Sequence, residues 1–153
     1  MMSFKDAVIT CVKTKAFTLQ GRAQRSEYWW FILFYIIVGI VANIFIVIPI
    51  IGSIIYLVIS LLLFIFSVTV SVRRLHDLNR SGWWLTAPYG LATLALIVLL
   101  VSLLTMTDMS ILAAVLCFVA AAAFLALFVM MVFKGTAGPN RFGADPLDRG
   151  SNT

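Results

Sequence analysis

Most of the charged residues in this 153-residue chain are gathered in three short motifs. The first is Gly21-Arg22-Ala23-Gln24-Arg25-Ser26-Glu27-Tyr28-Trp29-Trp30, and the second runs Arg73-Arg74-Leu75-His76-Asp77-Leu78-Asn79-Arg80-Ser81-Gly82-Trp83-Trp84. Each holds Arg-Ser followed within two residues by an aromatic doublet. The third, between Lys134 and Pro146, contains Arg141, Phe142 and Asp145 among three glycines and two prolines, the composition of a turn-rich loop. Guanidinium groups can grip a phosphate through their fork of donors or stack on an indole face. Trp29, Trp30, Trp83 and Trp84 suit the headgroup level, where an amphipathic ring meets lipid and water together. Glu27 and Asp77 are the only acids between positions 7 and 107, and each sits inside an arginine motif. Arginines brought together at the ends of packed helices must be paired or hydrogen-bonded. The pattern therefore predicts a salt-bridged network joining the Arg25/Glu27 region to Arg73, Arg74 and Arg80, with Arg22, Arg141 and Asp145 able to join it. Its expected main role is a structural clasp, and its second a ligand or lipid-headgroup site.

His76-Asp77 invites an acid–base reading, because histidine titrates near neutrality. Adjacent residues on a helix do not face each other, however. No nucleophile motif, HExxH, phosphate loop or paired-cysteine site accompanies them. His76 is expected to be bonded within the cluster, so no catalytic residue is assigned. Cys11 and Cys117 have no metal-ligand spacing and His76 is the single histidine; neither a metal nor a cofactor is expected.

The elements that must position these motifs are membrane spans. Hydrophobic residues make up 63% of the chain, charged residues 11%, and the mean hydropathy is +1.09. Soluble domains sit near roughly 45–50% apolar and about 25% charged, which excludes a water-soluble enzyme, a secreted domain and a disordered chain. From Tyr28 to Val72 there are 45 consecutive uncharged residues, too many for one span of about 20 and right for two. Pro49 and Gly52 break the run. The expected fold is all-α, a polytopic membrane protein with four transmembrane helices at about 28–48, 53–72, 83–104 and 111–133. An amphipathic segment (1–27) precedes the membrane domain (28–133), and a Gly/Pro-rich tail (134–153) follows it. Within residues 3–19, Phe4, Ala7, Val8, Cys11, Val12 and Ala16 recur at helical spacing, predicting a basic amphipathic helix that lies in the interface or packs on the helix ends.

All eleven basic residues fall in the N-terminal segment, the 73–80 loop or the tail, and none near Pro49–Gly52 or Thr105–Ser110. The positive-inside rule then puts both termini and the central loop in the cytoplasm, leaving Asp108 alone on the far side. The net charge of +5 is assigned to this orientation and not to nucleic acid. The first apolar run begins late, is full-length and has no small-x-small cleavage site, so it is read as a retained span.

The spans hold no Asp, Glu, Lys, Arg or His, which argues against a proton-coupled pump within one protomer. Asn43, Ser60, Ser67, Thr69, Thr93 and Ser102 are expected to make interhelical hydrogen bonds, and Ala113, Cys117 and Ala121, with the run Ala120–Ala123 and Ala126, a face for close helix approach within the bundle or, second, in a dimer. Gly39 offers a similar notch. The repeated Arg-Ser-aromatic start suggests two helical hairpins.

GRAQRSEYWWF, SVRRLHDLNRSGWW and GTAGPNRFGADP, in this order and separated by apolar spans, resemble the bacterial inner-membrane family of the YhaH/YhaI type, a domain of unknown function. The resemblance runs from about Phe17 to Pro146. It implies a bacterial cytoplasmic-membrane protein with about four helices, and brings no activity, substrate or cofactor. The expected function is non-enzymatic, at a cytoplasmic face that clasps itself and binds anionic headgroups or a protein partner. The expected partners are membrane lipids and a second copy or another membrane protein. An oligomeric transporter or channel is the alternative, and a lipid-headgroup enzyme a third.

Overall fold

A computed structural model describes residues 1–148; Arg149, counted above among the tail's basic residues, lies outside them. The chain is an all-α, polytopic membrane protein with five helices and no strand among the described residues. Four of the helices are long and apolar enough to cross a membrane: Arg25–Val47, Ile51–Asp77, Gly82–Thr105 and Ser110–Val132. Their large side chains mostly point outward, with Ile40, Leu57 and Leu125 each more than 60% exposed. Water would penalise such a surface, and hydrocarbon does not. The described residues divide into two compact units, 1–80 with 134–148, and 81–133.

In the first unit, α1 (Phe4–Ile9) starts at Ser3, whose hydroxyl accepts the Asp6 N–H at 3.2 Å. It continues into a π-helical turn, Thr10–Thr14. Of the expected apolar face, the small residues Ala7, Cys11 and Ala16 are buried, while Phe4 stays at the rim, edge-on to Trp30. Small side chains let α1 lie close along α2 (Arg25–Asn43). A 3-10 turn, Ile44–Val47, follows α2, and α3 (Ile51–Asp77) begins two residues after Pro49. Gly52 matters there for close approach: a Cβ on it would collide with the Phe45 carbonyl oxygen. Phe31, Leu63, Phe66, Val70 and Leu75 form the buried seam of this hairpin.

In the second unit, a 3-10 turn (Gly82–Leu85) bearing the exposed Trp83 and Trp84 leads into α4 (Thr86–Thr105). Pro88 sits in the first turn, where a missing N–H costs nothing. Met106, in the left-handed region at φ +54°, closes α4, and Asp108 accepts the Ser110 N–H at 3.0 Å ahead of α5 (Ser110–Val132). The two helices pack through Ala95, Ala113, Ala120 and Leu127, with Tyr89 edge-on to Phe124. Of the expected small-residue face, Ala113 and Ala120 pack against α4, while Cys117 and Ala121 are exposed. A four-residue step rotates about 40° around an α-helix, whereas a seven-residue step drifts only about 20°. Ala113, Ala120 and Leu127 therefore stay on one seam.

The polar residues of the spans also depart from expectation. Asn43 donates to the Gly39 carbonyl at 2.7 Å, Ser67 to Phe64 at 2.8 Å and Thr93 to Tyr89 at 2.8 Å, all within their own helices. Ser102 donates to the Thr107 carbonyl in the following turn. Thr69 alone reaches further, dividing its proton between Phe66 and the carbonyl of Ala16. A hydroxyl or carboxamide three or four residues after a carbonyl finds it without needing a neighbouring helix.

Candidate functional site

The last turn of α3 organises the charged end of the first unit. At 27 residues and about 1.5 Å per residue, α3 is about 40 Å long, against a hydrocarbon core of about 30 Å. About ten ångströms therefore extend past the hydrocarbon, and that length carries Arg73, Arg74, His76 and Asp77. Cations suit the negative end of a helix dipole, and Glu27, in the first turn of neighbouring α2, suits the positive end.

Two buried clusters result. Arg73, fully buried, forms an ion pair with Glu27 through Nη1 and donates from Nη2 to Cys11 Sγ at 3.7 Å. Cys11 in turn lies 3.9 Å from Glu27 Oε1. In the second cluster Asp77 is shared: its Oδ2 accepts from Arg74, and its Oδ1 accepts from Arg22 Nε at 3.0 Å. Arg22 then reaches the tail, donating through Nη1 to Gly138 O at 2.6 Å and through Nη2 to Thr136 O. One buried guanidinium thus ties the N-terminal loop, the end of α3 and a tail more than a hundred residues away.

The tail, the N-terminal loop and the turn directly after α3 also satisfy carbonyls that a helix end leaves open. Ala23 N–H donates to Arg73 O at 3.0 Å, Arg80 N–H to Leu75 O at 2.8 Å and Thr136 N–H to Asp77 O at 2.9 Å. The Asn140 carboxamide donates to His76 O at 2.9 Å. Gly135 lets the tail pass this close, because any side chain there would collide with the Asp77 carboxylate.

His76 does not work with Asp77. Its ring stacks on Phe142 with centroids 3.9 Å apart and planes 4° from parallel, and Nδ1 lies 3.2 Å from Gly21 O. Arg141 covers the other component of this stack, its guanidinium 4.7 Å from the Phe142 ring, and donates to Asn79 O at 3.2 Å. Asp145 accepts the N–H groups of Gly138 and Leu147, which holds its carboxyl below the usual range, Leu147 foremost. Arg25 and Arg80 lie at the surface. Trp29 and Trp30 flank the site on α2, and Trp83 and Trp84 belong to the second unit. No group of three His, Cys, Asp or Glu side chains that could hold a metal occurs among the described residues.

Cys11, expected on the apolar face of the N-terminal helix, is completely buried, and the neighbours that bury it include Arg73 and Glu27. Its four-residue spacing from Ala7 put it on that face; its charged neighbours come from α2 and α3, which local spacing does not encode. Burial, with the Glu27 charge beside it, pushes the thiol up to about 11. At pH 8 only about one thiol in a thousand is then the reactive thiolate. N-ethylmaleimide at pH 8 should leave Cys11 unmodified in detergent-solubilised protein and label it after unfolding in SDS, read by peptide mass spectrometry. Rapid labelling of the folded protein would contradict the buried position.

Residues 16–144 match DUF805, a protein family of unknown function. The chain belongs to this family. Two Escherichia coli K12 relatives are similar to it over most of their length. Inner membrane protein YhaI is 34% identical over 132 residues, covering 82% of this chain and 83% of the relative. Inner membrane protein YhaH is 31% identical over 137 residues, covering 83% and 85%. No solved structure gives a significant match. The DUF805 region of this chain contains both ion-paired clusters and the tail that caps α3, while α1 and Cys11 precede it. In this DUF805 protein both buried acids, Glu27 and Asp77, are already engaged by arginines.

Proposed function

We propose that this is a non-enzymatic protein of the bacterial inner membrane whose clasped, charged end faces the cytoplasm and binds anionic phospholipid headgroups. The observation that carries the reading is the division of charge in the first unit. Glu27 and Asp77 are consumed by Arg22, Arg73 and Arg74 in the interior. Lys5, Lys13, Arg25, Arg80, Lys134 and Arg141 remain at the surface of the same unit. Basic residues beside span ends favour the cytoplasmic side. Each near an anionic leaflet contributes about 1 kcal/mol, falling with salt.

The test is lipid retention by protein in nanodiscs of mixed phosphatidylglycerol and phosphatidylcholine, read by native mass spectrometry. The wild type should enrich the anionic lipid, and Lys5→Gln, Lys13→Gln and Arg80→Gln together should abolish the enrichment without changing the fold. Equal retention of both lipids by the wild type would refute the reading. Cysteine accessibility from the two sides of the membrane tests the orientation separately.

A further inference from the structure

Beside the clasp lies a cavity of about 110 Å³, lined among others by Gln24, Arg25, Ser26, Arg74, Asp77 and Lys134. We propose that it is a discrete site for one phosphate group, taken either from a lipid headgroup or from free phosphate. This goes beyond a diffuse basic surface and does not require one.

Three observations converge on an anion. First, the charge is unbalanced where the space is. Arg25, Arg74 and Lys134 line it, against Asp77 and the nearby Asp145. Both Asp77 oxygens already accept from Arg22 and Arg74, and Asp145 is turned to backbone N–H groups. Arg25 and Lys134 make no ion pair with the described residues, and Arg25 lies within electrostatic range of the like charge on Arg74. An anion between them would relieve that repulsion and satisfy both. Second, Arg74 is fully buried and fixed in place, so at least one cation on the wall is preorganised. Third, the wall includes the start of α2, whose N-cap, Gln24, makes no side-chain hydrogen bond to the first turn. The open N–H groups there add donors and a positive dipole end. Ser26 accepts the Met2 N–H at 3.2 Å, which leaves its own proton to donate.

Size selects the ligand class. Clefts that bury drug-sized ligands measure about 300–1,000 Å³, so this cavity suits a single charged group and not a whole metabolite. Gly135 keeps the tail backbone against Asp77 and leaves the space beside Lys134 open.

The experiment uses the full chain, purified in detergent without phosphate, and follows thermal unfolding against inorganic phosphate or chloride at matched ionic strength. Phosphate should raise the midpoint saturably. Arg25→Gln and Lys134→Gln, both at surface positions outside the buried pairs, should each weaken binding about fivefold or more, and Lys134→Arg should retain it. No saturable effect of phosphate, or wild-type affinity in both glutamine variants, would overturn the proposal. In a second arm, phosphatidic acid in nanodiscs that competes with phosphate identifies the lipid as the source; phosphate binding undisturbed by that lipid identifies free phosphate. Phosphate binding without any anionic-lipid enrichment would sink the surface reading alone, and enrichment without phosphate binding would sink this site alone.

Discussion

Replacing Asp77 with alanine should destabilise the protein by about 3–5 kcal/mol, the cost of leaving buried charge without its partner. Two guanidinium groups lose their carboxylate at once, Arg22 at 4% exposure and Arg74 at 0%. Arg22 keeps its bonds to Thr136 O and Gly138 O, but those carbonyls belong to a tail that Arg22 itself secures. The loss should therefore be read first as release of the tail and then as a lower unfolding midpoint. Asp77→Asn should be nearly as harmful, since a neutral carboxamide of the same shape answers only part of two positive charges. Asp145→Asn provides the contrast: its partners are backbone N–H groups at the surface, and about 0.5 kcal/mol or less is expected. Thermal unfolding in detergent gives the ranking, and limited proteolysis between 134 and 148 shows whether the tail comes free before the helices melt. An Asp77→Ala protein with a wild-type midpoint and a protected tail would mean that Arg22 and Arg74 are not held as described.

How much of this could be read from sequence depends on distance along the chain. The spans were legible because an uncharged run of 45 residues has only one physical explanation, and a proline near its middle has to break it. The existence of a buried charge cluster was legible too, because Glu27 and Asp77 had no reason to sit among arginines unless they paired with them. Which acid meets which arginine was not legible. Asp77 is claimed by Arg22 only because Thr136 and Gly138 return from the far end of the chain to hold the same guanidinium, a closure that no local pattern encodes. Gly135 likewise shows its purpose only once the Asp77 carboxylate is seen against its backbone. The burial of Cys11 was legible from the face it shares with Ala7, while its contact with Arg73 and Glu27 was not, since both come from other helices. The hydroxyls of the spans and the Ala113–Cys117–Ala121 row were assigned from residue type, but helix-internal carbonyls and the seven-residue seam decided the outcome.

The Glu27–Arg73 pair offers the sharper test of whether the cluster is only a clasp. Either single change strands a charge: Glu27→Ala leaves Arg73 fully buried with Cys11 Sγ as its remaining side-chain acceptor, and Arg73→Met leaves Glu27 at 4% exposure. Each should cost about 3–5 kcal/mol. The double change Glu27→Leu with Arg73→Met fills the same space with apolar atoms and should be neutral or stabilising by about 1–4 kcal/mol relative to wild type. The pair is imperfect as it stands, because Arg73 Nε is buried with no hydrogen-bond partner among the described residues, so removing both charges also removes an unsatisfied donor. Cys11 would then pack against apolar neighbours, where a protonated thiol is at home. If the double variant unfolds at or above the wild-type midpoint and still binds anionic lipid, the pair serves to hold α1, α2 and α3 together and nothing more. If it recovers stability but loses lipid or phosphate binding, the buried charge contributes to the field at the cytoplasmic end and belongs to function. A double variant no more stable than the worse single one would refute the clasp itself, since two compensating removals would then have failed to compensate.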